Sequence, residues 1–327
     1  MPTSRPPNGM RAGRRWTSRM SRQRWDQFLK GNPIDWLLEE ENPSVRYFTL
    51  IDILGEPQDR PEVKSARKAI GEWELVRQAL ALQAPEGYWG DNIDRPYGAR
   101  RTSGYFTLLA NVGLECNESI DKATDYLFQR SQSIKDGGFS IEARQRSAYC
   151  LTGYLVRALL HFGFLGDPRL DTAIDNLVRT AGEPARLDCI QNQRKPCQWG
   201  MVKMLSAFAE IPEAERPPGV KAAIGGLADQ LLDYPFDFQG REKRWLSFGF
   251  PYEYRSDLLD MLVVLAKLAY GKDSRFRAYA EIVLSMQDEK GRWVKRAGSR
   301  IVDVGKNGQP NKWITLSALW VMRAISE

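Results

Sequence analysis

Gln83-Ala-Pro-Glu-Gly87-Tyr-Trp89 recurs in altered form as Gln132-Ser-Ile-Lys-Asp-Gly137-Gly-Phe139 and as Gln287-Asp-Glu-Lys-Gly291-Arg-Trp293. Each copy closes a helical pattern with glutamine, turns on glycine and ends on an aromatic ring. The first two glutamines are 49 residues apart and the last two 155 apart, about three further steps of the same period. A fixed period of this length marks stacked supersecondary units. Two degenerate copies are expected between them, at Asp175–Gly182 and Leu227–Tyr234. A second marker, Gly166-Asp-Pro-Arg169 and Gly271-Lys-Asp-Ser-Arg275, joins an apolar helix to an amphipathic one. Each period therefore reads as a helical hairpin.

Apolar spacing places six inner helices near 44–54, 102–114, 147–164, 197–209, 256–270 and 312–326. Leu258-Leu259-Asp-Met261-Leu262-Val263-Val264-Leu265 is apolar nearly all round, as a helix between two layers must be. Segments such as 61–83 and 274–286 carry more charge and read as outer helices. Neither end of the array looks like a polar cap: Leu316, Leu319, Trp320 and Ile325 still require a partner. The expected fold is all-α, an α/α toroid of about six hairpins closed on itself.

The chain has 327 residues, 43% of them hydrophobic and 27% charged, enough to bury a large core. Its net charge of +6 is uneven. Residues 1–30 hold eight basic side chains against Asp26 alone, a surplus of seven, so the remainder is close to neutral. That pattern argues against a dedicated nucleic-acid surface and for a basic, disordered tail at 1–30 before a single domain at 31–327. No run is apolar and long enough for a transmembrane segment or signal core, and four cysteines are too few for a disulfide scaffold. A cytoplasmic protein is expected, with the oligomeric state open.

The glutamine-to-tryptophan turns resemble the repeats of squalene-hopene and oxidosqualene cyclases and of protein prenyltransferase β subunits, over about residues 33–326. Pro196-Cys197-Gln-Trp-Gly-Met-Val-Lys-Met-Leu and Trp245-Leu-Ser-Phe-Gly-Phe-Pro251 resemble uncharacterised prokaryotic proteins of this prenyltransferase/squalene-cyclase-repeat type. The resemblance implies a terpene cyclase-like toroid and a lipid-like, isoprenoid substrate. The Asp-X-Asp-Asp acid motif of class II terpene cyclases is missing. The zinc set of the prenyltransferases is missing too, since His161 is the sole histidine.

Basic residues stand at the starts of the inner helices: Arg46, Arg101, Arg146, Lys195, Arg255 and Lys312. Cations there oppose the helix dipole, so they read either as a positive funnel for an anionic substrate or as partners of nearby acids such as Glu41. Tyr105, Trp199, Tyr254 and Trp313 fall at the same end and suit a carbocation or a sugar. Asp257 and Asp260, three apart on one helix, are the candidate proton donors, since paired carboxyls in an apolar cavity drive one pKa upward. Asp188, Cys189 and Cys197 form a partial metal set. No cofactor is otherwise called for, with zinc or magnesium the alternative. Three functions stay open. One is an acid/base cavity enzyme on an anionic, largely apolar substrate. Another is an acidic-polysaccharide lyase or hydrolase using Tyr252 or Tyr254. The third is a non-catalytic scaffold for a lipid or peptide.

Overall fold

The computed structural model describes residues 24–189 and 192–327. Its helices are α1 (Ile34–Leu37), α2 (Pro43–Phe48), α3 (Pro61–Glu72), α4 (Glu74–Ala81), α5 (Thr102–Asn111), α6 (Glu118–Arg130) and α7 (Tyr149–His161). They continue as α8 (Pro168–Gly182), α9 (Gln198–Glu210), α10 (Pro218–Leu232), α11 (Leu258–Lys267), α12 (Ser274–Ser285) and α13 (Lys312–Ser326). A two-residue hairpin, β1 (Asp188–Cys189) against β2 (Lys195–Pro196), is the only sheet among the described residues.

Burial sorts these helices into two layers. In α6, Ile120, Ala123, Thr124 and Leu127 are buried while Asp121, Lys122 and Asp125 face solvent, the one-sided stripe of an outer helix. In α11 every residue from Leu258 to Val264 is buried, so that helix is enclosed on all sides. The inner layer is α2, α5, α7, α9, α11 and α13. It packs in chain order from α5 to α13, and α13 then packs on α2. The remaining join runs from the first to the second inner helix, where Arg67 donates to the Gly113 carbonyl at 3.0 Å. Gly113 has φ +77°, and a Cβ there would lie 2.8 Å from the Phe48 ring. The ring is closed, an all-α toroid.

The repeated glutamines hold the hairpins together. Gln83 donates to the Gly87 carbonyl within its own turn and to Ser119 O at the start of α6. Gln132 does the same to Gly137 O and to Arg169 O at the start of α8. Gln287 donates to Leu284 O and Phe28 O, and accepts from the Lys30 amide at 2.8 Å, so the last stitch reaches the beginning of the chain. The aromatic closing each turn presents its amide to a threonine of the next inner helix: Trp89 to Thr102, Phe139 to Thr152 and Trp293 to Thr315. Arg169 and Arg275, in the second repeated marker, pair with their own N-cap aspartates and with acids of the preceding outer helix.

The inner helices sit within a few residues of their expected spans. The first departs in kind, because Thr49–Ile53 continues α2 as a π-helical turn. The expected tail lies outside the described residues for 1–23. Its remainder is packed rather than free: Arg24–Phe28 form a 3₁₀ turn against α13, with Trp25 buried. Gln287→Ala removes three hydrogen bonds at the seam, two of them to the N-terminal segment. The expected cost is about 2–3 kcal/mol in urea unfolding, with about two thirds of that for Gln83→Ala, which loses two bonds. Equal losses would show that the seam is no more critical than any other turn.

Candidate functional site

The six inner helices surround a cavity of about 160 Å³. Every one of them contributes: Phe48 from α2 with Asp52 from its π turn, Asn111 from α5, Tyr154, Arg157 and His161 from α7. Lys203, Ser206 and Glu210 come from α9, Asp260, Val263, Val264 and Lys267 from α11, and Trp313 and Trp320 from α13. Tyr252 enters from the loop before α11. Exposure falls steadily inward. The side chain of Lys267 is 46% exposed and that of Arg157 20%, whereas Asp260 and Lys203 at the floor are 6% and 4% exposed. Asn111, His161, Glu210 and Lys267 are the last residues of their helices, so the cavity opens at the C-terminal ends of the inner helices.

The floor is built by a close helix crossing. Gly153 of α7 lies against the backbone of α9 at Lys203, where a Cβ would come within 2.6 Å of the Lys203 carbonyl carbon. That contact sets Lys203 at the ring centre. Its Nζ donates to Asp260 Oδ2 at 2.9 Å and stands 6.0 Å from the centre of the Tyr154 ring. Tyr252 is fixed from two sides: its carbonyl accepts from Asn111 Nδ2 at 2.9 Å and its hydroxyl meets Ser317 Oγ at 2.5 Å. Burial raises the Tyr252 and Tyr154 hydroxyls above the ordinary tyrosine range.

The mouth is an ionic network. Glu210 accepts from Lys267 at 3.2 Å and lies 3.4 Å from Arg157, whose guanidinium also reaches Asn111. Burial would raise Glu210, but Lys267, Arg157 and His161 outweigh it and hold the carboxyl at about 2. His161 bonds to Leu114 O at 3.0 Å, and burial with the Arg157 charge lowers it to about 4. Asp52 accepts from Trp320 Nε1 at 3.1 Å and is raised by burial. The lining thus holds Arg157, Lys203 and Lys267 against Asp52, Glu210 and Asp260, a balance of three and three.

Of the residues expected from sequence, Tyr252, Asp260 and Trp313 line this cavity, and Trp313 stacks flat on Phe250 at 3.9 Å. Asp257 lies behind the wall. It caps α11, accepting from the Asp260 amide at 2.8 Å and the Gly249 amide at 3.0 Å, and burial with the Asp260 charge raises it to about 7. Of the two readings of the cations near the inner-helix starts, pairing with nearby acids describes three of them. Arg46 bonds to Leu38 O and Glu40, Arg101 pairs with Asp91, and Lys312 with Glu39 and Glu41. Arg146 and Lys195 are exposed. Arg255 lies over Trp199, which meets Tyr254 edge to face at 6.2 Å, and Tyr254 accepts from the Cys150 thiol. Tyr105 stacks on Trp89. None of these lines the cavity. No three His, Cys, Asp or Glu side chains among the described residues are grouped to hold a metal, Asp188, Cys189 and Cys197 included.

No protein-family model matches the chain, and no curated protein matches it. Among solved structures it is similar to a single-residue variant of the type II terpene cyclase MstE from Scytonema, in complex with the substrate geranylgeranyl dihydroxybenzoate. The identity is 13% and the TM-score 0.31, over 80% of this chain and 97% of that one. A second variant of MstE, holding the product merosterolic acid A, matches at 14% identity and TM-score 0.32, over 80% and 96%.

Two groups, the buried Asp257 and the half-buried His161, act on stability in opposite senses. Asp257 is raised from 3.8 to about 7, so the folded chain holds a proton that the unfolded chain has released, and stability falls as pH rises through that window. His161 is lowered from 6.5 to about 4, so the unfolded chain holds the extra proton and stability rises over that interval. Urea unfolding at a series of pH values should show Asp257→Asn gaining stability with pH more steeply than the parent. His161→Gln should lose stability with pH by comparison, each slope differing by up to about 1.4 kcal/mol per pH unit. Parallel profiles would mean that neither group is shifted.

Proposed function

We propose that this protein is a cavity enzyme of the terpene cyclase-like toroid class, taking a small, largely apolar, isoprenoid-like group and moving a proton at Asp260. The carrying observation is the Lys203–Asp260 pair, buried at the floor of a cavity whose walls are Phe48, Tyr154, Tyr252, Trp313 and Trp320. A buried ion pair contributes less to stability than well-packed apolar side chains of the same volume, so its presence in the cavity at the centre of the ring favours a chemical role. Aromatic faces stabilise positive charge developing on a bound hydrocarbon. Asp260 is the group placed to give or take the proton, with Lys203 holding it in position.

Size and charge narrow the substrate. An apolar cavity of about 150 Å³ holds one benzene ring, so about 160 Å³ accepts one isoprene-sized unit, and a longer chain would extend past Lys267 into solvent. The balanced lining favours a neutral or singly charged polar end over a diphosphate. An acidic polysaccharide needs a long open cleft, which this cavity does not offer.

Calorimetric titration with prenol, geraniol and the corresponding carboxylic acids tests this reading. Binding is expected, weakened at least tenfold by Asp260→Asn, and blocked by Val264→Phe, which fills the cavity from α11. Failure of all these compounds to bind a folded parent chain overturns it.

A further inference from the structure

Three lysines are buried in the described chain, and they differ in how their ammonium groups are satisfied. Lys295 donates to Asp303 and to Gly305 O. Lys312 reaches both Glu39 and Glu41. Lys203 has one acceptor among the described residues, Asp260 Oδ2, so two of its three N–H bonds have no protein partner, and it is the one of the three that lines the cavity. A desolvated amine facing a ligand space, with a carboxylate in contact to receive its proton, has the makings of a nucleophile.

We infer that Lys203 captures a carbonyl group, the substrate being a small apolar aldehyde or ketone held as a protonated imine. The inference rests on the cavity being the active site and names the chemistry of its substrate. Lys203 passes one proton to Asp260 across the 2.9 Å contact, and the free amine adds to the carbonyl carbon. The proton released from nitrogen moves to the former carbonyl oxygen, giving a carbinolamine. Asp260 returns its proton to that hydroxyl, the C–O bond breaks with loss of water, and the nitrogen lone pair closes the C=N bond. The sum is an ammonium and a carbonyl converted to an iminium and one water, with the Asp260 carboxylate left as counter-ion. Nothing outside the site and substrate is consumed. Tyr154 places its ring face near the nitrogen that carries the charge. The floor holds the imine on α9, the hydrocarbon part lies against Trp313 and the valines of α11, and the mouth admits the aldehyde.

The test is reductive trapping. The full chain is incubated with prenal and sodium cyanoborohydride, and the adduct, aldehyde minus water plus two hydrogens, is mapped by peptide mass spectrometry. Lys203 should be labelled at least tenfold faster than the exposed Lys68 and Lys122. Asp260→Asn should slow it tenfold or more with the surface rates unchanged. Lys203→Arg, which keeps the charge and the pairing, should abolish the fast phase, and circular dichroism confirms that it folds. Prenol binding is measured in parallel. If prenol binds and Lys203 is labelled no faster than the surface lysines, carbonyl capture is wrong and the cavity reading stands. If prenol fails to bind and Lys203 is also unlabelled, both fail together.

Discussion

A side-chain amide donating to two backbone carbonyls, one in its own turn and one at the start of the next outer helix, is the interaction on which the ring depends. At Gln83 and Gln132 it fixes the angle between one hairpin and the next. At Gln287 the amide donates instead to Leu284 O of the preceding helix and to Phe28 O, and with the Lys30 amide this joins the last hairpin to the N-terminal segment. Closure removes the two ends that an open array would need to cap, which is why Leu316 and Leu319 on the last helix are fully buried.

Closure has a consequence for chemistry. Six parallel inner helices bring six N-termini to one end and six C-termini to the other. The long loops join outer helix to inner helix and cover the first end. The short connections that follow each inner helix leave the second open. The cavity therefore opens among helix C-termini, where the partial charge is negative, and Arg157 and Lys267 are suited to that position. Glu210 lies between them and neutralises one, so the mouth is polar without being an anion trap.

This arrangement explains what the sequence shows and what it hides. The period is legible because each of the three turns uses its glutamine amide to bond two backbone carbonyls, one of them in a neighbouring segment, which constrains glutamine, glycine and the aromatic in one short window. The threonines that receive the aromatic amides are as regular in space but stand 13, 13 and 22 residues downstream, across loops of unequal length, and no window contains them. The inner helices are legible as segments and illegible as faces, since Leu258 to Val264 is buried throughout. Asp260 and Trp313 stand out as an acid and an indole near a helix start. Lys203, within Met-Val-Lys-Met-Leu, reads as a long side chain reaching for solvent, and only its bond to Asp260 across the cavity floor shows that it points inward. The cations near the helix starts are legible as partners of acids, since Glu39, Glu40, Glu41 and Asp91 pair with three of them, Lys312 from the far end of the chain.

The floor shows what the close crossing of α7 and α9 achieves. Removing either member of a buried ion pair leaves the other charge without compensation, a loss of about 3–5 kcal/mol, while replacing both with apolar side chains is often neutral or stabilising. A ring selected for stability alone would fill its centre with leucine, as it does between the layers. Instead α9 places an ammonium and α11 a carboxylate there, and Tyr252 and Asn111 form a bonded bridge beside them. Rigidity around the pair, together with a free side that no protein atom occupies, is the combination expected where a charge must meet a ligand rather than a neighbour. In this chain, the same helical ring that buries the pair also leaves it one direction from which to be approached.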